Sequence, residues 1–359
     1  MATSTRLRAL LPHMKHPIVA APMAFVSGAD LAVAVSRAHG LGFIAGGYDL
    51  PKLDAELHRA RSLLGAPEGQ SLPIGVGLFA WTSAADPSQA RQLLSTILTH
   101  RPCALWLFAP AVPGADGFRH WVDAIHQSSS ASSSSSSLSP QRPVVFAQVA
   151  SVREALDAAE AGVDVVVAQG ADAGGHGSKA GAGLISLVPE VRDALPPALP
   201  LLAAGGVMDG RGLAAVLALG ADGAALGTRF LASREAAVQP GLQRAIIEAS
   251  DGGQSTVRTR LFDEMRGTTS WPPAYDGRAL RNDTVADWER SDGSEAARDE
   301  LRAAYRRAAD AGDYRRLVVW AGTGVGLARK VQPAGEIVAE LVRECDQVVG
   351  QLRERVVGM

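Results

Sequence analysis

The chain has 359 residues, 47% of them hydrophobic, with a formal net charge of −2 and two cysteines. That is enough apolar material for one large core, and it leaves no electrostatic reason to expect nucleic acid or an anionic membrane as partner. Cys103 and Cys345 are too few for a disulfide framework, and no apolar run is long enough to span a membrane, so a soluble cytoplasmic protein is the expectation. Residues 1–16 hold no apolar stretch of signal-peptide length, though Arg6 and Arg8 in an acid-free segment keep a short transit peptide open.

Eight short, β-rich apolar runs follow one another along residues 18–23, 41–47, 72–78, 103–109, 144–150, 163–168, 199–206 and 223–230. Segments of helical character separate them at 30–39, 87–100, 117–127, 152–161, 187–194 and 210–219. Near-continuous apolar strands alternating with helices predict a parallel sheet covered on both faces. Eight such units ending near residue 235 match a (β/α)8 TIM barrel. A doubly wound open sheet fits less well, because it has fewer strands and a Gly-rich turn after the first of them. Here the first run ends in Ala21-Pro22-Met23, and the glycines gather after the sixth, seventh and eighth runs.

Two segments depart from the repeat. Residues 128–139 are almost all serine, cannot bury apolar surface, and are expected to form a disordered loop before the fifth strand. Beyond the barrel of residues 1–239, residues 240–359 are expected to extend the same domain over the active face. Within them 254–282 reads as a polar, aromatic covering loop. The stretches 294–311 and 334–357 read as amphipathic helices that pack outside the barrel or build an oligomer contact.

The sixth run opens into Gln169-Gly170-Ala171-Asp172-Ala173-Gly174-Gly175-His176-Gly177. Glycine lets backbone approach a ligand closely, and a histidine there can exchange protons near neutral pH. His176 therefore reads as a general base on the active face. Asp172 is either an alternative base or a residue that orients the loop. Ala204-Gly205-Gly206 and Gly227-Thr228 stand where barrels hold phosphate, and backbone N–H groups suffice for an anion there. Gln148 and Gln169 can each donate and accept. Either they form an ordinary polar layer or they meet the pyrimidine edge of a flavin, and spacing alone does not choose. The other seven histidines fall in the N-terminal segment or on predicted helices and read as solvated or capping residues. His13 and His16 lack further ligands nearby, so no metal site is expected. Gly322-Thr323-Gly324-Val325-Gly326 lacks the sixth-position glycine of a dinucleotide motif and reads as a turn beside the active face.

Taken together, these residues resemble the FMN-dependent nitronate monooxygenase family. The resemblance runs from Pro17-Ile18-Val19-Ala20-Ala21-Pro22-Met23 through the Gly174-Gly175-His176-Gly177 segment and Ala203-Ala204-Gly205-Gly206 to Gly227-Thr228-Arg229-Phe230. Thr256-Val257-Arg258-Thr259-Arg260, Arg266-Gly267-Thr268-Thr269 and the stretch from Trp320 to Leu327 are similar to its fungal-type branch. The resemblance implies a TIM barrel holding FMN non-covalently. Ala21, Pro22 and Met23 would lie at the isoalloxazine, Gln148 and Gln169 near its polar edge, and Gly174 and Gly175 along the site. Gly205, Gly206, Gly227 and Thr228 would hold the phosphate, and His176 would be the catalytic histidine. Many relatives carry Asn on the third strand, where this chain has Gly75-Val76-Gly77, so Gly77 would meet the cofactor only through backbone. The implied reaction is oxidation of alkyl nitronates with O2 to a carbonyl compound and nitrite. An NAD(P)H-dependent quinone or enoyl reductase on the same fold is the alternative. A non-enzymatic FMN binder and a non-redox barrel enzyme stand further off. Phe25, Phe79, Trp106 and Tyr275 are candidate walls of the substrate pocket.

Overall fold

The computed structural model describes residues 4–46, 49–81, 87–131 and 142–357. Gly47, the expected end of the second strand, and residues 132–139 of the serine tract lie outside them; residues 128–131 end the helix Ala115–Ala131.

Among the described residues, eleven strands form two sheets. They are β1 (Ile18–Ala20), β2 (Leu41–Ala45), β3 (Leu72–Phe79), β4 (Pro102–Phe108), β5 (Val144–Val149), β6 (Val165–Gln169), β7 (Gly175–Ser178), β8 (Leu201–Ala204), β9 (Gly223–Leu226), β10 (Thr256–Thr259) and β11 (Tyr275–Leu280). Eight of them close into a parallel barrel in the order β1-β2-β3-β4-β5-β6-β8-β9, with β9 pairing back onto β1. This is the expected (β/α)8 barrel. Each barrel strand is buried on both faces, which is why the sequence shows unbroken apolar runs.

Alternate residues serve two cores. Val19, Phe43, Trp106, Phe146, Val167 and Leu202 point into the barrel, where Phe43, Trp106 and Phe146 pack with ring centroids 5.3–5.9 Å apart. Trp106 is 1% exposed, so it fills the interior and is not a pocket wall. The short helix Thr5–Leu10, capped by Ser4, adds Leu7, and Leu11 and Met14 follow it into the same interior cluster. Intervening strand residues such as Val145 and Val166 pack outward under the helices.

The structure corrects three expectations about elements. A helix, Leu50–Leu64, stands between β2 and β3, where none was expected; Asp49 caps it and Pro51 lies in its first turn. The eighth barrel strand ends at Leu226, not Phe230. Its last pairing with β1 is Ala20 with Leu226, and past that point the backbone turns into the helical turn Thr228–Leu231. The expected covering loop 254–282 contains β10, the helix Leu261–Arg266 and β11.

Helix Ala334–Val357 packs against both Gly210–Ala218 and Ala29–Arg37. It fills the outer-ring position that follows β9, which the chain reaches only after residues 227–333. Glu344 accepts a hydrogen bond from the Gly210 N–H at 3.0 Å, fixing the helix there.

Packing of the ring on the barrel is tight enough to test. A methyl group at Gly42 on β2 would sit 2.2 Å from the Ala32 carbonyl oxygen of the helix Ala29–Arg37. Gly42→Ala is expected to destabilise the fold by about 1–3 kcal/mol through overpacking, read as a lowered midpoint in chemical denaturation. An unchanged midpoint would mean that this helix is not seated on β2.

Candidate active site at the mouth of the barrel

The expected site residues gather at the C-terminal ends of the barrel strands. Ala21, Pro22 and Met23 follow β1, and Ala21 donates to the Leu226 carbonyl across the closing seam. Gly77 on β3 lies under Pro22, where a Cβ would come within 2.2 Å of the proline ring. Met23 is held by Ser27, whose hydroxyl accepts from the Met23 N–H at 2.7 Å. The Met23 sulfur lies 3.6 Å from where a Cβ on Gly227 would stand.

Gln148 on β5 and Gln169 on β6 are each tied down by half of the amide. Gln148 Oε1 accepts from Trp106 Nε1 at 3.0 Å, and Gln169 Nε2 donates to the His176 carbonyl at 3.0 Å. That leaves the amide N–H₂ of Gln148 and the amide oxygen of Gln169 without a partner among the described residues.

Three glycine-containing segments interlock behind β6, β8 and β9. Gly205 and Gly206 adopt φ of +122° and +67°, conformations closed to most side chains. A Cβ on Gly174 would lie 2.5 Å from Ala321 and Gly322 backbone atoms. Gly175, at φ +72°, would find nothing within 4 Å and so borders open space. The expected turn 322–326 begins a 3-10 helix, Thr323–Leu327, beside these segments. Gly322 N–H donates to Thr228 Oγ1, and Thr323 N–H donates to the Asp172 carbonyl, each at 3.0 Å. Asp172 therefore holds this turn in place, and Thr228 keeps its own hydroxyl proton to donate. The N–H groups of Gly206, Gly227 and Thr228 meet no acceptor among the described residues. Backbone N–H groups arranged in this way are able to bind an anion.

His176 is not on a free loop. It lies in β7, the edge of a second, antiparallel sheet of order β10-β11-β7, directly across from Gly277 on β11. From β10 the chain enters the helix Leu261–Arg266, which places Asp263 against the imidazole. His176 Nε2 lies 2.9 and 3.0 Å from the two Asp263 carboxylate oxygens. Asp263 is 1% exposed, and its Oδ1 also accepts from the Thr268 hydroxyl at 3.0 Å. A carboxylate so deeply buried is tolerable only with such partners. The Trp271 ring stacks on His176 at 3.8 Å with 7° between the planes, and Trp320 leans on it at 4.8 Å. Asp263, Trp271 and Trp320 were all missed in the sequence. The chemistry they allow is clear. Nε2–H is committed to Asp263, Nδ1 has no partner among the described residues, and a positive charge on the ring meets both a carboxylate and an indole face.

Around Trp271 lie Phe79 at 5.1 Å, Trp81 at 5.6 Å, Phe108 at 5.9 Å and Tyr275 at 6.3 Å between ring centroids. Burial, with a smaller contribution from the Glu154 charge, pushes the Tyr275 phenol up, so it stays a neutral donor. Phe79 and Tyr275 thus belong to one aromatic cluster beside His176. Phe25, 62% exposed, lies at the rim with Arg266 over its ring.

Comparison with known proteins decides the family. The profile of the nitronate monooxygenase family matches residues 5–344. The chain belongs to the nitronate monooxygenase family. A nitronate monooxygenase of Neurospora crassa is 39% identical over 98% of this chain and 95% of its own length. Among solved structures, FabK of Thermotoga maritima superposes with a TM-score of 0.75 at 27% identity, over 99% of this chain and all of its own. A nitroalkane oxidase of Streptomyces ansochromogenes superposes with a TM-score of 0.72 at 29% identity, over 96% of this chain and 99% of its own. In this monooxygenase-family chain, the residues of the expected site and the newly found Asp263 share one end of the barrel. No helix among the described residues is long and apolar enough to cross a membrane.

Proposed function

We propose that this chain oxidises alkyl nitronates, and nitroalkanes after deprotonation, with O2 to carbonyl compounds and nitrite, using FMN. The observation that carries this reading is His176, set between a buried carboxylate and an aromatic cluster at the barrel mouth with Nδ1 unengaged. FMN, when bound, supplies the one-electron and O2 chemistry. The residues present fit it. Gly206, Gly227 and Thr228 offer backbone donors to a phosphate, and the Thr228 hydroxyl adds another. Gln148 offers an amide donor and Gln169 an amide acceptor, which match the mixed carbonyl and N–H edge of a pyrimidine ring. Ala21, Pro22, Met23, Gly77, Gly174, Gly175 and Gly205 are assigned to the surroundings of the same cofactor.

With a neutral nitroalkane, His176 Nδ1 takes the α-proton, while Nε2–H stays with Asp263 and the new cation is stabilised by that carboxylate and by the Trp271 face. With a preformed nitronate this step is not needed, and the aromatic cluster serves to seat the alkyl group and exclude water.

The test is anaerobic mixing of the purified protein with an alkyl nitronate and, separately, with NADH and NADPH, followed by its visible spectrum. Bleaching by nitronate alone supports the proposal. Bleaching by a reduced nicotinamide and not by nitronate would overturn it in favour of a reductase. Thr228→Val is expected to weaken FMN retention about 10- to 100-fold, the loss of one hydrogen bond to a charged group. Flavin fluorescence on dilution reads this out, and undiminished retention would remove Thr228 from the phosphate donors.

A further inference from the structure

Away from the barrel mouth, Asp54, His58 and His100 bring one ligand atom each within 4.8 Å of one another. We propose that these three side chains form a divalent transition-metal site of the zinc type, two imidazole nitrogens and one carboxylate oxygen, with solvent completing the coordination.

The helix Leu50–Leu64 places Asp54 and His58 one turn apart on a single face. His100 comes from the turn between the helix Pro87–Thr99 and β4. It was expected to be solvated or capping, yet it is 4% exposed. Its backbone is fixed from both sides: the N–H donates to the Ile97 carbonyl, and the carbonyl accepts from Arg61 Nη2 at 2.7 Å. The imidazole is thus presented by a rigid main chain, as a metal ligand needs to be.

The separations suit an ion. His100 Nε2 lies 2.7 Å from Asp54 Oδ1, and His58 Nε2 lies 3.8 Å from Asp54 Oδ2. Donors around a tetrahedral zinc, at about 2.0–2.2 Å from the metal, stand about 3.3–3.6 Å apart. The observed distances fall on either side of that value, and all three ligand atoms lie within 4.8 Å of one another, so side-chain adjustments of about an ångström bring them onto one ion. The ring of His58 meets that of His100 edge-on, with centroids 4.5 Å apart, which keeps both imidazoles at one point. Asp54 and His58 are 43% and 61% exposed along their side chains, so an ion and its water can enter without opening the core. A donor set of two nitrogens and one oxygen favours zinc, nickel or copper over magnesium or calcium. Bound there, the ion would tie the helix Leu50–Leu64 to the segment leading into β4 and stabilise the folded state by linkage. Without an ion the same groups are a His–Asp hydrogen bond with a second histidine beside it, and the experiment separates the two.

Untagged full-length protein, freed of metal by chelator, is dialysed against zinc at known free concentration and analysed for bound metal and thermal unfolding. One tightly bound equivalent and a raised Tm are expected. His58→Ala at an exposed position and Asp54→Asn at a half-buried one are each expected to weaken that equivalent more than about 10-fold and to cancel the rise in Tm, with turnover unchanged. If the wild type takes up no stoichiometric zinc, or both variants keep the full equivalent, the site does not exist.

Discussion

His176→Asn is expected to lower kcat/KM for a neutral nitroalkane by about 10²- to 10⁴-fold, the usual worth of a positioned general base, and largely to spare turnover of the preformed nitronate. The asymmetry follows from the geometry. Only the nitroalkane brings a proton that must leave, and among the described residues only His176 offers an unengaged basic nitrogen next to the aromatic cluster. Asn keeps a polar group of similar reach but cannot accept and hold the proton. Initial rates with one nitroalkane and its separately prepared anion, measured on the same enzyme, give the ratio directly. Equal losses on both substrates would make His176 a binding residue and remove the proton-transfer step from its role.

Asp263→Asn is expected to produce nearly the same selective loss, about 10²- to 10⁴-fold on the nitroalkane, although Asp263 is a positioning residue and is 1% exposed. In the native protein both carboxylate oxygens face Nε2, so the imidazole proton resides there and Nδ1 carries the lone pair. In the variant the Thr268 hydroxyl, which now donates to Oδ1, claims the amide oxygen and leaves the amide N–H₂ facing the ring. The amide then donates to Nε2, the ring proton moves to Nδ1, and the basic nitrogen is lost to the substrate. The loss should fall on kcat with little change in KM, and the nitronate should be spared. Because the replacement is neutral and nearly isosteric, no drop in Tm is expected. A lowered Tm with equal loss on both substrates would mean that Asp263 only supports the fold.

Much of this was legible in the sequence because of how a parallel barrel is buried. Strands covered on both faces show as unbroken apolar runs, so β1 to β6, β8 and β9 stood out, and the glycine pairs after them marked the mouth. The helix Leu50–Leu64 escaped because its apolar positions, Leu53, Leu57 and Ala60, are diluted by charged residues facing solvent. Its cap and first-turn proline were the available signal. The strands β10 and β11 escaped for a different reason. They form the small sheet beside the site, carry arginines such as Arg258 and Arg278, and place only a few apolar residues, Val257, Ala279 and Leu280, on small clusters outside the barrel, so no long apolar run marks them.

By itself, then, the sequence determined the barrel, its glycine-lined mouth and the presence of one histidine there. These are properties of short segments, written in local periodicity and in residues that few backbones tolerate elsewhere. Only the tertiary structure decided what that histidine can do. Asp263 lies 87 residues further on, and Trp271 later still. No local pattern distinguishes that aspartate from the other acids of the chain. The antiparallel ladder of β7, β11 and β10 brings them together, and a pairing between distant segments is specified by the packing of the whole fold and not by either segment alone.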